Sequence, residues 1–256
     1  MQTIEIIVAT RPADNRDRFP VTHDPERITT RIIQCADGNL SRVYKDAYLE
    51  SEADVVIFKH DDFGFRNWDS FETQLWTLMD KGYYVLGFAG SRSYTPMRNV
   101  MWWAQAQENR QRIRNGYIDN VCRGMVSHPP SEDNKELFEY LPTFFGEPGP
   151  AVVLDGACIV VRRKDFAGRA MPDFAHPFNA DDILASCFDK DFTYHFYDIA
   201  FTLNATLKFK ELHHGPVCYA MIADVIHCSL GVAGEDYNVA GRKFKKKYML
   251  PSPVTV

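Results

Sequence analysis

The chain has 256 residues, 45% of them hydrophobic and 25% charged, with a formal net charge of −5. That composition excludes a disordered or collagen-like chain, and the acidic balance excludes a general nucleic-acid binder, which would carry a basic domain. No run reaches the ~18 apolar residues of a membrane span.

The opening MQTIEIIVATRP lacks a basic flank and a small-residue cleavage site, so it reads as a first strand over Ile4 to Ala9 rather than a signal peptide. Arg31 to Cys35 is a second short strand, closed by Ala36-Asp37-Gly38. Asn39 and Ser41 can both cap the next helix, in which Leu40, Val43, Tyr44, Ala47 and Tyr48 share one apolar face. Val55-Val56-Ile57-Phe58 is a buried strand stopping at Lys59-His60-Asp61-Asp62. Asp69-x-x-Glu72 has capping-box spacing before a helix that buries Phe71, Leu75, Leu78 and Met79. Tyr83 to Phe88 is a fourth strand, and the alternation so far predicts a mostly parallel sheet covered by helices.

From Ser91 to Pro150 the pattern is irregular, with Met101-Trp102-Trp103 and a polar helical segment through Arg114. Two apolar runs follow, Ala151 to Leu154 and Cys158 to Val161, separated by Asp155-Gly156-Ala157. Helices are expected over Asp181 to Phe188 and Asp198 to Phe209, and a last strand over Val217 to Ile226. The run Arg242, Lys243, Lys245, Lys246, Lys247 reads as a solvated tail, with attraction to an anionic membrane surface or to phosphates as the sharper reading. The six cysteines form no C-x-x-C pair or zinc spacing and read as reduced thiols of a cytoplasmic protein.

Five places carry chemistry. Asp61 and Asp62 sit at a strand end, where ligands bind in open sheets. Adjacent carboxylates repel unless a cation intervenes, and oxygen ligands suit Mg²⁺ or Mn²⁺; the bland alternative is an acidic turn. His227 closes a strand and is either structural or a ligand. Asp198 opens a helix, either as its N-cap or as a base kept ionised by the helix dipole. Asp155-Gly156 is either a hairpin turn or a site element. Trp102-Trp103 is either core or a platform for a sugar ring. No P-loop, G-x-G-x-x-G, G-x-S-x-G or H-E-x-x-H pattern occurs.

In this order the pieces resemble a glycosyltransferase of the GT-A fold, family 2-like. Gly38 to Lys45 followed by Asp54 to Asp62 is similar to that family's nucleotide-binding half, whose strand ends in a metal-binding D-x-D element. Lys59 stands at the first acid of that element and Asp61 at the second. Val85 to Ser91, Leu154 to Cys158 with Arg162-Arg163, His195 to Phe201 and Ile226 to Gly231 resemble the following strand, the D-G element, the acidic motif and the late metal-ligand histidine.

The resemblance implies an α/β, Rossmann-like GT-A domain: a mostly parallel sheet flanked by helices, with an irregular acceptor-side lobe. Residues 1–92 would be the nucleotide-binding half, 93–240 the acceptor-side half and 241–256 a basic tail. It implies an inverting hexosyl- or N-acetylhexosaminyl-transferase that takes a UDP-sugar donor and a glycan acceptor. Asp61, Asp62 and His227 would hold Mn²⁺ or Mg²⁺, and Asp198 would be the base. Thr10, Arg11, Asp37, Asp61, Asp155 and Gly156 would bind the donor. Two other classes remain: a metal-dependent phosphoesterase, and an inactive carbohydrate- or nucleotide-binding module.

Overall fold

A computed structural model of the chain describes residues 2–11, 16–96, 101–103, 121–129, 140–163, 180–212, 214–229, 234–250 and 252–256. The first half runs β1 (Ile4–Thr10), β2 (Ile28–Gln34), α1 (Leu40–Glu50), β3 (Val55–His60), β4 (Phe63–Phe65) and α2 (Trp68–Asp80). Next come β5 (Val85–Gly87), β6 (Ala89–Ser91), β7 (Ser93–Tyr94), β8 (Cys122–His128), β9 (Leu141–Gly146), β10 (Gly149–Ala151), β11 (Val153–Leu154) and β12 (Cys158–Arg162). The last part holds α3 (Ala180–Ala185), α4 (Tyr197–Glu211), β13 (Cys218–Ala220), β14 (Val225–His227), α5 (Glu235–Lys247) and β15 (Val254–Thr255).

The main sheet has the order β10-β13-β5-β12-β3-β1-β2. β1 is parallel to β2 and β3, and β13 to β5, which makes the fold Rossmann-like α/β. The sheet is mixed, because β12 runs antiparallel between β3 and β5, and β10 closes one edge antiparallel to β13. A second sheet, β11-β6-β8-β14-β4 with β9 on β8, and a small pair, β15-β7, complete the strands.

Both faces of the main sheet are covered. Leu40, Val43, Tyr44, Ala47 and Tyr48 of α1 pack on one face with Val56 and Phe58 of β3. Phe71, Leu75, Leu78 and Met79 of α2 pack on the other with Val55 and Ile57. β3 therefore alternates between two apolar layers, as a strand buried on both sides must. Lys59 continues the Val55–Ile57 side and is fully buried; its Nζ meets Asp17 Oδ1 at 2.6 Å and donates to the Phe63 carbonyl at 3.0 Å. His60, one residue on, leaves the strand on the opposite side.

Several local expectations change. Asn39, not Ser41, caps α1, accepting from the Arg42 N–H at 3.0 Å, while Ser41 is buried against the Asp189 carbonyl. The capping box at Asp69 does not form: Asn67 caps α2 through Ser70, and Glu72 is taken by Arg27 and by the indoles of Trp68 and Trp76. The expected last strand is two, β13 in the main sheet and β14 in the second, because the chain crosses between sheets at residues 221–224.

The basic run is helical rather than loose. It falls in α5, where Phe244 is fully buried and Lys247 binds Asp189 and Asp191 at 2.8 and 2.7 Å. Beyond it, Tyr248 donates to Asp189, and β15 pairs with β7. Truncation after Gly241 would thus remove core. The polar helical segment expected up to Arg114 lies outside the described residues from 104 on. Among the described residues no helix is long and apolar enough to cross a membrane.

Breaking one partner of a buried ion pair strands the other, at about 3–5 kcal/mol. Asp17→Ala should lower the urea unfolding free energy by about that amount. The double change Asp17→Leu with Lys59→Met, which leaves no buried charge, should recover most of the loss.

Candidate functional site

Register brings the ends of β3 and β14 together. β14 pairs antiparallel with β4, setting His227 opposite Phe63, and the Cys228 N–H donates to the Asp62 carbonyl at 3.0 Å. His227 therefore lands beside the turn that follows His60. Its Nε2 is 3.4 Å from Asp62 Oδ1, an ion-pair distance without hydrogen-bond geometry, and that buried nitrogen has no hydrogen-bond partner among the described residues. His60, Asp62 and His227 each offer a ligand atom, and these atoms all lie within 4.8 Å of one another. One ion can gather such a set with small side-chain shifts.

The remaining nitrogen of His60 is also accounted for. Its Nε2 lies 3.0 Å from the Tyr197 hydroxyl, which donates to the Gly156 carbonyl at 2.8 Å. With that phenolic proton spent on Gly156, the hydroxyl oxygen accepts the imidazole Nε2–H, leaving the lone pair on Nδ1. Burial, followed by the neighbouring His227, lowers the His60 pKa to about 4. The ring is then neutral at pH 7, the form that ligates metal. Burial works to raise the Asp62 carboxyl, but His227, His60 and Arg18 outweigh it and hold it well below the usual range.

Tyr197 links this group to a second one. α4 starts at Tyr197, and its cap is Phe196 in the left-handed region at φ 64°, without a side-chain cap bond. Asp198 is thus the second helical residue and not the cap. Burial, then the charge of Asp155, raises Asp198 to about 7, against the pull of the Ile199 and Gly156 backbone N–H groups. A Cβ on Gly156 would stand 2.6 Å from the Tyr197 hydroxyl and 2.7 Å from Asp198 Cβ, so only glycine fits there.

Asp155-Gly156 is not a hairpin turn, since β11 pairs with β6 while β12 pairs with β3 and β5. It is a sheet-to-sheet connection pinned by Asp155 N–H on the Ala89 carbonyl and His60 N–H on the Ala157 carbonyl.

The other expected residues are placed as follows. Asp61 is outside the three-ligand group; its carbonyl accepts from the Arg18 N–H at 3.0 Å. Thr10, at the end of β1, is buried, and its hydroxyl has no partner among the described residues. Arg11 follows it, exposed. Asp37 is half exposed and bound to Arg42, and the Asn39 N–H and Arg42 hold its carboxyl low. Trp102 is buried against Phe145, whereas Trp103 is 38% exposed.

Sequence reasoning passed over His60 as a ligand and Tyr197 as a link. His-x-Asp spacing was the available signal for the first. His128, whose ring centre is 5.8 Å from that of His227, also borders the group.

If the geometry describes the metal centre, His60→Ala, Asp62→Ala and His227→Ala should each abolish tight Mn²⁺ binding in calorimetry. Asp61→Ala should keep it. Gly156→Ala should displace Tyr197 and cost about 1–3 kcal/mol in thermal unfolding.

No family model matches the chain, and no curated protein matches it. Among solved structures, the crystal structure of A197 from STIV superposes with a TM-score of 0.40 at 14% identity, covering 88% of this chain and 83% of that one. CMP:2-keto-3-deoxy-manno-octonic acid synthetase complexed with CTP gives 0.35 at 11% identity, covering 96% and 99%. Overlaps this loose carry no inference about activity.

Proposed function

We propose that the chain is a metal-assisted, inverting glycosyltransferase acting on a nucleoside-diphosphate sugar, UDP-linked in the first instance, with a glycan hydroxyl as acceptor. The observation that carries this reading is the hydrogen-bonded link from His60 through Tyr197 to Gly156. It joins a group fit for a divalent ion to the Asp155-Gly156 connection, against which the half-buried Asp198 packs, in a Rossmann-like fold. Strand ends are where such folds bind ligands.

The residues fit an ion of a particular sort. Two imidazoles and one carboxylate suit Mn²⁺ and comparable transition ions better than Mg²⁺, which prefers an all-oxygen shell. Held by His60, Asp62 and His227, such an ion would supply positive charge against the departing diphosphate. The resemblance of the strand end to a D-x-D element then fits His60-Asp61-Asp62, with His60 in place of the first acid, better than Lys59-His60-Asp61.

Asp198 takes the acceptor proton. A base near pKa 7 combines a usable ionised fraction with driving force for the transfer. The charge of Asp155 opposes ionisation of Asp198, so that Asp198 is still partly protonated near neutrality. Tyr197 holds His60 in one tautomer and orients Gly156, so that the carboxylate pair and the ligand group move as one unit.

A second reading is hydrolysis of a phosphoester by metal-activated water, favoured by the imidazole-rich ligand set. Consumption of UDP-sugar that requires an added glycan supports the first reading; release of phosphate from simple phosphoesters supports the second.

UDP with Mn²⁺ should raise the melting temperature well above that with EDTA; at 100 times its dissociation constant a ligand adds about 2.7 kcal/mol. Asp198→Asn should leave donor affinity near wild type and slow single-turnover transfer by about 10²–10⁴-fold. The rate should climb with pH through an acid limb near 7. In Asp155→Asn that limb should move to lower pH, because a charge opposing Asp198 ionisation is gone. An unmoved limb would separate Asp155 from the base.

A further inference from the structure

The buried Lys59–Asp17 pair holds a segment whose position has a use. Asp17 Oδ1 takes the Lys59 ammonium at 2.6 Å and the Phe19 N–H at 2.9 Å. Arg18, between them, donates its backbone N–H to the Asp61 carbonyl at 3.0 Å. Phe19 lies so close over Gly64 in β4 that a Cβ there would come within 2.8 Å of its ring. Segment 17–19 is thereby held at three points: Lys59 in β3, Asp61 on the turn that carries Asp62, and Gly64 in β4. Arg18 is exposed beside the turn that carries Asp62. An arginine held by its backbone beside a candidate metal group, with its side chain at the surface, is placed to meet an anion arriving there.

We propose that Arg18 is a diphosphate-binding residue of this site, and that Lys59 and Asp17 are positioning residues that act through it. The inference rests on the reading of the site as one for a nucleoside-diphosphate donor. A departing diphosphate carries more negative charge than one divalent ion beside an aspartate can balance, and a guanidinium fork adds charge-assisted hydrogen bonds that strengthen as the charge grows. The buried pair fits this role as well. Apolar replacements would stabilise a core at least as well as an ion pair, and a strong two-point attachment that fixes one loop conformation is what the pair adds. Lys59 is then no substitute for a metal ligand; it faces away from His60 and anchors the loop that supplies a second cation.

The test is calorimetric titration of uridine diphosphate, uridine and Mn²⁺ alone into the wild-type protein and Arg18→Gln. Expected is a loss of about 10- to 100-fold in uridine diphosphate affinity in the presence of Mn²⁺, the contribution of a hydrogen bond to a charged group. Uridine should bind both proteins alike, and Mn²⁺ alone should bind the variant at least as tightly, since a cation beside Asp62 is gone. Equal uridine diphosphate affinity in the two proteins overturns the inference and leaves the transferase reading standing. Failure of uridine diphosphate to bind the wild type overturns both. A matching loss of Mn²⁺ affinity also overturns it, because Arg18 would then support the ligand group rather than touch phosphate. For the anchoring half, Arg18→Gln is repeated in the Asp17→Leu, Lys59→Met background. It should be nearly silent there, and an undiminished effect refutes action through Arg18. If that background fails to fold, the Arg18 comparison in the wild-type protein still decides the binding claim.

Discussion

A strand covered on both faces sends successive side chains into different layers, and β3 keeps to that rule up to its last two residues. Lys59 enters the layer shared with α2 and, having no water there, takes Asp17 as partner. His60 enters the opposite side and meets Tyr197. One residue of register would exchange them, putting an ammonium against the candidate metal group and an imidazole in the core. The site's charge pattern follows from this parity, and so does the position of the loop that carries Arg18.

The electrostatics of the two groups run in opposite directions. Asp62 is held ionised by the imidazoles and Arg18, while Asp198 is held partly protonated by burial and by Asp155. Under the proposed function the first would be a ligand and the second a proton carrier. The arrangement has a cost in stability. Asp198 has a folded pKa near 7 against an ordinary value of 3.8, so its contribution is complete below about 4 and is lost as pH rises through 7. Phe196, in the left-handed region just before α4, adds backbone strain at the same place. Strain and a raised carboxyl at one helix start are what a site retains when rigid placement matters more than local comfort.

Much of the frame was legible because local periodicity decides it. The face of α1 and the runs at β1 and β3 followed from spacing alone, since burial on both sides leaves little else for such runs to do. Strand pairing is a long-range matter. The antiparallel insertion of β12, and the division of 217–226 between two sheets, depend on partners far away in the chain. The reading of Asp155-Gly156 as a hairpin turn failed for that reason. At the strand end the D-x-D comparison drew attention to Asp61, whereas the ligand atoms that lie within reach of one another belong to His60, Asp62 and His227. Strand alternation groups Val56, Phe58 and His60 on one face, and that pattern was present in the residues themselves. No local pattern could foretell that Lys59 would find Asp17 across 42 residues.

The most direct measurement is anomalous difference density from crystals grown with MnCl₂ and uridine diphosphate. Expected is one strong peak bounded by His60, Asp62 and His227, with a diphosphate oxygen on it and open space for an acceptor beside Asp198. A peak on Asp61 instead, or diphosphate bound elsewhere with no ion between the two histidines, would contradict the central claim.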